Sequence, residues 1–175
     1  PDTNYNGDDS FTFSVSDGNL SDVATVSLTI DAVNDAPTLA FISDVSFDED
    51  GSGSTSLSAS DVDGDALTFS ISGGTDITAT LDGSDVYFSA PANYNGSETF
   101  TIGVTDGSET DSQSISVTVN AVNDTPVANA ASAETVEDQS VVVSLSGSDI
   151  DGDALTFSLD TDAANGSVVI DGSFA

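Results

Sequence analysis

The chain has 175 residues, of which 31 are acidic and none is Lys, Arg or His, so its formal net charge is −31. Without basic side chains it can form no side-chain salt bridge, and it cannot bind nucleic acid or an anionic membrane surface through basic contacts. The absence of Cys, Lys and His also excludes disulfides, thiolate and imidazole metal sites, and most nucleophilic catalysis. The polar groups that remain are hard oxygen donors, which suit Ca²⁺.

The apolar fraction of 37%, with 15 glycines in addition, is ordinary for a globular protein. A like charge of this size opposes compaction, so the composition predicts that a cation neutralises the acids in the folded state. No run of about 18 apolar residues is present, and we expect no membrane insertion. The opening residues "PDTNYNG" are typical of the interior of a domain rather than of a signal peptide.

Motifs in the first part of the chain return later at a nearly constant spacing. "NYNG" at 4–7, "VSDG" at 15–18 and "DAVNDAP" at 31–37 each recur, with small changes, 89 residues later. "ED" at 49–50 and "DVDGD" at 61–65 recur 88 residues later. The chain is therefore predicted to hold the C-terminal part of one repeat (1–36), a complete repeat (37–125) and the N-terminal part of a third (126–175).

Two repeat periods are close to the length of the whole chain, and the missing parts of the first and third repeats are complementary. The chain is thus either a segment cut from a longer array or a repeating unit of one.

The complete repeat shows the two-residue periodicity of β-strands, and no helical period is visible. Ser, Thr and Asp alternate with the apolar positions, and Gly, Asn and Asp mark the turns. Short apolar runs lie at 38–42 and 85–89, and the alternating apolar residues are Leu57 and Ala59; Leu67, Phe69 and Ile71; Phe100, Ile102 and Val104; and Ile115, Val117 and Val119. About seven short strands per repeat indicate an all-β fold, a β-sandwich of immunoglobulin-like type.

The repeated acidic cluster "DVDGD" places Asp61, Asp63 and Asp65 at alternate positions, with Gly64 allowing a tight turn. Alternate side chains of an extended segment point to the same side, so Asp61 and Asp63 can meet over one ion. Carboxylates held that close repel each other, and a hard divalent cation relieves the repulsion. The cluster is not an EF-hand, because its Gly is at the fourth position rather than the sixth.

Four kinds of motif make the chain resemble cadherins. "ASDVDGDALTFSIS" is similar to the cadherin signature Ala-x-Asp-x-Asp-x-Gly followed by an alternating strand, and "FTIGVTDG" to the strand that ends in an Asp–Gly turn. "DAVNDAP" is similar to the cadherin Asn-Asp linker before Pro, and the following "DED" to the early Glu of the family. The sequences of these motifs are most similar to those of the bacterial cadherin-like repeats of large secreted surface proteins and adhesins.

The resemblance implies tandem cadherin-like sandwiches with Ca²⁺ bound between successive repeats by the floor of one, the linker and the roof of the next. The ligands it implies for the first junction are Asn34 and Asp35 of the linker and Asp61, Asp63 and Asp106 of the roof. Those for the second junction are Glu49 of the floor, Asn123 and Asp124 of the linker, and Asp149 and Asp151 of the roof. Where cadherins carry a floor motif of Asp-Arg-Glu, this chain has Asn93-Tyr94-Asn95, so fewer or weaker ions than the family's usual set are expected.

Simpler interpretations stand beside these. "DVDGD" can be a solvated turn, and Asp17 and Asp106 can belong to Asp–Gly turns without binding a metal. Tyr5 and Tyr94 can pack as core aromatics or stack on a sugar. Asp65 and Asp153 can lie outside the ligand set.

The sequence favours a non-enzymatic, calcium-stiffened extender repeat, extracellular and either secreted or on the cell surface, whose partners are neighbouring repeats of the same chain or fibre. Other domains of the parent protein would bind a host or cell-surface glycan or protein. Two alternatives are a module that itself recognises a glycan or a protein, and an assembly unit in which the partial repeats complete each other between chains. A carboxylate-pair hydrolase is disfavoured, because the acid pairs lie in repeated motifs.

Overall fold

A computed structural model describes residues 1–174 and contains two compact units, Pro1–Asn120 and the residues from Ala121 onward. Every regular element of residues 1–174 is a β-strand. They are β1 (Gly7–Ser16), β2 (Ser21–Ile30), β3 (Thr38–Leu39), β4 (Val45–Asp48), β5 (Ser52–Ser56), β6 (Ala59–Ser60), β7 (Thr68–Gly73), β8 (Thr78–Asp82), β9 (Asp85–Ser89), β10 (Gly96–Thr105), β11 (Thr110–Asn120), β12 (Val127–Asn129) and β13 (Ser146–Ser148).

The first unit contains an all-β sandwich, as predicted. Its larger sheet has the strand order β4-β11-β10-β7, in which β4 runs parallel to β11 and the other neighbours are antiparallel. A three-stranded sheet, β5-β9-β8, and the short pair β3-β6 complete it. The complete repeat thus has nine strands, β3 to β11, where about seven were expected. The number is larger because a strand is interrupted where the chain passes from one sheet to another. For example, β3 pairs with β6, whereas β4 pairs with β11.

The core of the sandwich is built from the predicted alternating residues. Phe100, Ile102, Val104, Ile115, Val117 and Val119 are all buried on β10 and β11. Phe88 of β9 meets Phe100 edge to face, with ring centroids 5.2 Å apart and planes inclined by 68°. Gly74 has a φ of +76°, and a Cβ there would lie 2.5 Å from a ring carbon of Phe100, so this turn needs glycine to let the ring pack.

The first unit also contains the hairpin β1–β2, whose ten residue pairs run from Gly7↔Ile30 to Ser16↔Ser21. Its register repeats that of β10–β11, which runs from Gly96↔Val119 to Thr105↔Thr110. The corner before each hairpin repeats too, since Asn4 and Asn93 both have a left-handed φ, of 60° and 57°.

The second unit has the two-stranded sheet β12–β13 and two isolated bridges, Ser144↔Phe174 and Asp171↔Phe174. Its loops follow those of the complete repeat. The N–H of Leu145 donates to the carbonyl of Ser173 at 2.7 Å, as the N–H of Leu57 donates to the carbonyl of Ser84 at 2.7 Å. The division into partial and complete repeats remains a prediction of the sequence.

Candidate metal centre

The acidic cluster of the complete repeat forms a tight turn around one carboxylate. Gly64 has a φ of +81°, a conformation that glycine adopts without steric cost, and the turn brings its N–H back to Asp61. Oδ1 of Asp61 accepts hydrogen bonds from the N–H of Gly64 at 2.9 Å and of Asp65 at 3.2 Å. These two bonds fix the orientation of the Asp61 carboxylate.

The other carboxylate oxygen of Asp61 is the strongest indication of a cation site. Oδ2 is buried and has no hydrogen-bond partner among the described residues. Carboxylate oxygens of Asp61, Asp63 and Asp65 lie within 4.8 Å of one another. Ca²⁺ binds oxygens at about 2.3–2.6 Å, so two ligands of one ion are at most about 5 Å apart. The three carboxylates therefore fit a single calcium ion, and a cation would satisfy the buried oxygen.

The linker before the complete repeat is held from two sides. The N–H of Asp35 donates to Oδ2 of Asp63 at 2.7 Å. Nδ2 of Asn34 donates to Oδ2 of Asp106 at 2.9 Å and is 3.4 Å from Oε2 of Glu109. The linker thus joins the acidic turn at its Asp35 end and the β10–β11 turn at its Asn34 end.

Asp106 has a turn-forming role as well as its contact with the linker. Its Oδ1 accepts hydrogen bonds from the N–H groups of Ser108 at 2.6 Å and Glu109 at 2.7 Å. The bond from Glu109, the Asn34 amide and the bond from Ser108 together lower the pKa of Asp106. Asp17 holds the β1–β2 turn through the N–H groups of Leu20 and Asn19, both at 2.8 Å, and these bonds, that of Leu20 first, lower the pKa of Asp17 too.

A cavity of about 310 Å³ lies beside the linker of the first unit. It is lined on one side by Asn4, Tyr5 and Asn6 of the corner before β1 and on the other by Asp35 and Asp63. The Tyr5 hydroxyl donates to the carbonyl of Asp8 at 2.7 Å, which anchors this corner to the hairpin. The acidic turn therefore faces an open space next to the corner, where a hydrated ion has room.

The second unit repeats the same local geometry. The N–H of Asp124 donates to Oδ2 of Asp151 at 2.7 Å, and Nδ2 of Asn123 donates to the carbonyl of Asp124 at 3.0 Å. Oδ1 of Asp149 accepts from the N–H of Asp153 at 3.1 Å. The backbone hydrogen bonds to the linker and within the turn are thus repeated in the second unit, whereas the cluster of three carboxylates described above belongs to the first unit.

Glu49 lies just after β4 and is the buried acidic residue of the first unit, 7% exposed. Its N–H donates to the carbonyl of Asn120 at 2.9 Å. The next residue, Asp50, has a left-handed φ of 61° and accepts a hydrogen bond from the N–H of Asn93 at 3.0 Å. Glu49 and the Asn93 corner therefore lie together at the end of the sandwich where β11 ends at Asn120.

The structure brings together four of the first-junction residues in two pairs, Asp35 with Asp63 and Asn34 with Asp106, and places Asp61 next to Asp63 in the acidic cluster. Two further residues join them. Asp65, which the sequence analysis left outside the predicted ligands, lies in the same carboxylate cluster, two positions beyond Asp63. Glu109 near Asn34 had no signal in the sequence, because the matching position of the first hairpin is Leu20. Metal binding by the whole predicted set stays a prediction.

Comparison with known proteins gives one family. The model of the bacterial Ig domain matches residues 34–118 and again residues 123–175. No curated protein matches the chain significantly. Among residues 1–174, no helix is long and apolar enough to cross a membrane.

Solved structures resemble parts of the chain. An endo-fucoidan hydrolase of glycoside hydrolase family 107 is 27% identical over 67% of this chain and 19% of its own, with a TM-score of 0.39. The human protocadherin-24 EC1-2 fragment is 26% identical over 67% of this chain and 61% of its own, with a TM-score of 0.46. Titin domains Z1Z2 are 10% identical over 66% of this chain and 62% of their own, with a TM-score of 0.39. The chain thus spans less than two thirds of the length of each of these proteins.

Proposed function

Because the chain belongs to the bacterial Ig domain family, we propose that it is a structural extender of a large extracellular bacterial surface protein, such as an adhesin or a fibre. Bacterial Ig domains occur in surface proteins and are in general not enzymes. In this proposal Ca²⁺ bound at the repeat junctions stiffens the array. The partners of the chain are neighbouring repeats, and other domains of the parent protein contact the glycan or protein to which it adheres.

The buried, unbonded Oδ2 of Asp61 carries the proposal. A buried carboxylate oxygen without a partner is costly, and the chain has no basic side chain that could pair with it. Asp63 and Asp65 bring two more carboxylates to the same place. A solvated turn explains the Asp–Gly sequence, but it leaves this oxygen unexplained. A divalent cation explains both.

The geometry indicates how an ion would stiffen the junction. Asp63 belongs to the acidic cluster and also accepts the N–H of Asp35, so fixing the Asp63 carboxylate fixes the linker backbone. Asn34 holds the preceding residue to Asp106. A cation held by Asp61, Asp63 and Asp65 therefore restricts the linker at Asp35 through Asp63, and the contact between Asn34 and Asp106, which does not involve the ion, holds the adjacent residue.

The energetic mechanism is linkage. An ion that binds only the folded form stabilises that form by RT ln(1 + [Ca²⁺]/Kd). Extracellular calcium modules have dissociation constants of about 10⁻⁴–10⁻³ M. The array would be soft at cytosolic calcium levels and would stiffen outside the cell, where calcium is in the millimolar range.

Thermal unfolding followed by circular dichroism tests the proposal. We expect the melting temperature to rise by several degrees between EDTA and about 5 mM Ca²⁺, because about ten times Kd contributes about 1.4 kcal/mol. Mg²⁺ at the same concentration should have a much smaller effect, because it gives up its water ligands reluctantly. Equal shifts with both ions would show general screening of the −31 charge and would overturn the proposal.

A matched pair of variants assigns the effect to the acidic turn. Asp61→Asn/Asp63→Asn should reduce the Ca²⁺-specific shift and lower the number of ions counted by calorimetric titration. Asp82→Asn/Asp171→Asn removes the same charge from two other Asp–Gly turns and should leave both quantities unchanged. If the two double variants behave alike, the acids of the turn only solvate the chain.

A further inference from the structure

Residues 39–48 follow the outer edge of β11 along most of its length. The backbone ladder between β4 and β11 joins Val45–Asp48 to Val117–Asn120, at a separation of 72 residues along the chain. One step before the ladder, Oδ1 of Asp44 accepts the N–H of Ser116 at 2.8 Å, at the same separation. The contact between residues 39–48 and β11, which we call the seam, therefore continues beyond the end of the paired strands.

Side chains of β11 extend the seam towards the start of the repeat. Oδ2 of Asp111 accepts the N–H of Leu39 at 2.8 Å. The Gln113 amide uses both of its ends on one residue, because Oε1 accepts the N–H of Ile42 at 3.1 Å and Nε2 donates to the carbonyl of Ile42. This amide makes the two bonds that a peptide group of a neighbouring strand would make. It therefore replaces the ladder where residues 40–44 form no strand.

The seam lies between the places where the chain enters and leaves the complete repeat. Asn34, in the linker before the repeat, contacts Asp106 and Glu109 in the turn where β11 begins. The chain leaves the repeat at Asn120, the last residue of β11. A strand of 11 residues is about 35 Å long. The entry and the exit are therefore at opposite ends of the strand that carries the seam.

Tension along an array of repeats loads this seam in shear. The 39–48 segment is pulled at its N-terminal end and β11 at its C-terminal end, in opposite directions, while the two run parallel. All of the hydrogen bonds of the seam then resist sliding at the same time, whereas peeling the segments apart breaks the bonds one after another. Sliding also drags Ile42 and Phe47, both buried, out of the core.

We propose that the seam is the load-bearing element of the complete repeat, and that the Gln113 amide strengthens it where the backbone ladder is absent. The inference rests on the proposed extender function, in which the array carries tension. It does not depend on the cation site, because the bonds described for the seam do not involve the acidic turn. The matching residue of β2 is Ala24, so the hairpin itself does not need the amide.

Single-molecule pulling of the 175-residue chain in two directions tests the proposal. The chain has no cysteine, so a pair of introduced ones defines the two points of attachment. Val33→Cys with Ala121→Cys loads the seam in shear, and Val33→Cys with Ser108→Cys peels it open from its Leu39 end. In EDTA, the unfolding force should be several-fold higher in the first direction than in the second. Equal forces in the two directions overturn the proposal.

Gln113→Ala, pulled in the shear direction, assigns the resistance to the seam. Forced unfolding is governed by the unfolding rate, and loss of both bonds to Ile42 should raise that rate about ten-fold at a given force. Glu98→Gln is the control, because the bonds of Glu98 to the N–H groups of residues 75–77 lie outside the seam. Those contacts are still formed when the seam gives way, so this rate should change by less than about two-fold. Equal accelerations in the two variants overturn the proposal.

The seam and the calcium mechanism fail separately. The pulling experiments are made in EDTA, so a Ca²⁺-specific rise in melting temperature together with equal forces in the two directions removes the seam and keeps the proposed cation site. A higher force in shear without any Ca²⁺-specific rise supports the seam and removes the calcium mechanism.

Discussion

The hairpins β1–β2 and β10–β11 have the same register over ten residue pairs and similar apolar patterns, but opposite environments. Phe100 and Ile102 are completely buried, whereas Phe11 and Phe13 are about half exposed. The local sequence determines strand pairing and turn geometry in both hairpins. Burial depends instead on whether the residues that precede the hairpin in its repeat, 45–88 for β10–β11, pack over it.

The comparison separates two sources of stability. Cross-strand pairs and turns stabilise both hairpins to a similar extent, each pair by about 0.2–1 kcal/mol. Burial of large side chains adds about 1.5–3 kcal/mol each, and this contribution is available only to β10–β11. Substitutions at matched positions can therefore measure the difference directly.

The largest difference is expected in the core. Ile102→Ala should lower the free energy of unfolding by about 2–5 kcal/mol, because it removes fully buried methylene groups and leaves a cavity. Phe13→Ala, at the matching position of the first hairpin, should change it by no more than about 0.5 kcal/mol. Urea unfolding followed by far-ultraviolet circular dichroism measures both. Similar losses would mean that the first hairpin already has a packed cover within the chain.

A smaller difference is expected at Glu98. Its carboxylate accepts hydrogen bonds from the N–H groups of Thr75, Asp76 and Ile77, at 2.7, 3.0 and 3.2 Å. Glu98→Gln should cost at most about 1.5–3 kcal/mol, the range for hydrogen bonds to a charged group. The matching residue, Asp9, accepts a bond from its neighbour Ser10 at 2.7 Å. Asp9→Asn is therefore the control and should have little effect.

The pH dependence of stability checks the same contact. The N–H groups of Asp76 and Thr75 hold the pKa of Glu98 below its ordinary value. A depressed folded-state pKa means that the stabilisation is complete above about pH 4.3, the usual glutamate pKa, and is lost as the pH falls through the lower folded value. The stability of wild type should fall more steeply with acid than that of Glu98→Gln. Parallel pH profiles would contradict the assignment.

Most of the fold follows from local patterns in the sequence. The alternation at Phe100, Ile102 and Val104 gives the strand and its buried face, and the constant repeat spacing gives the matching hairpin. The division of the first strand of the repeat into β3 and β4 could not be predicted from the sequence. It depends on which strand each of them pairs with, β6 for β3 and β11 for β4. Long-range pairing of this kind is set by the packed sandwich and leaves no periodic signal.

The candidate metal centre also has some contacts that the local sequence predicts and others that it does not. The alternate spacing of Asp61 and Asp63 predicts that their carboxylates meet, and the structure brings them together with the carboxylate of Asp65 beside them. The contact between Asn34 and Asp106 joins residues 72 positions apart, and the resemblance to cadherins implied it rather than any local pattern. Glu109 was missed, because its role depends on the position of the linker and its counterpart in the first hairpin is apolar.

The smallest expected effect concerns the two hairpin turns, which Asp106 and Asp17 hold through equivalent backbone bonds. Asp106 additionally accepts the amide of Asn34. A double-mutant cycle between Asp106→Asn and Asn34→Ala should give a small favourable coupling free energy, because each substitution removes one partner of the same hydrogen bond. The cycle between Asp17→Asn and Asn34→Ala should give about zero and is the control. If the first coupling is also zero in both EDTA and Ca²⁺, Asn34 does not fasten the linker to the roof, and stiffness must come from the acidic turn alone.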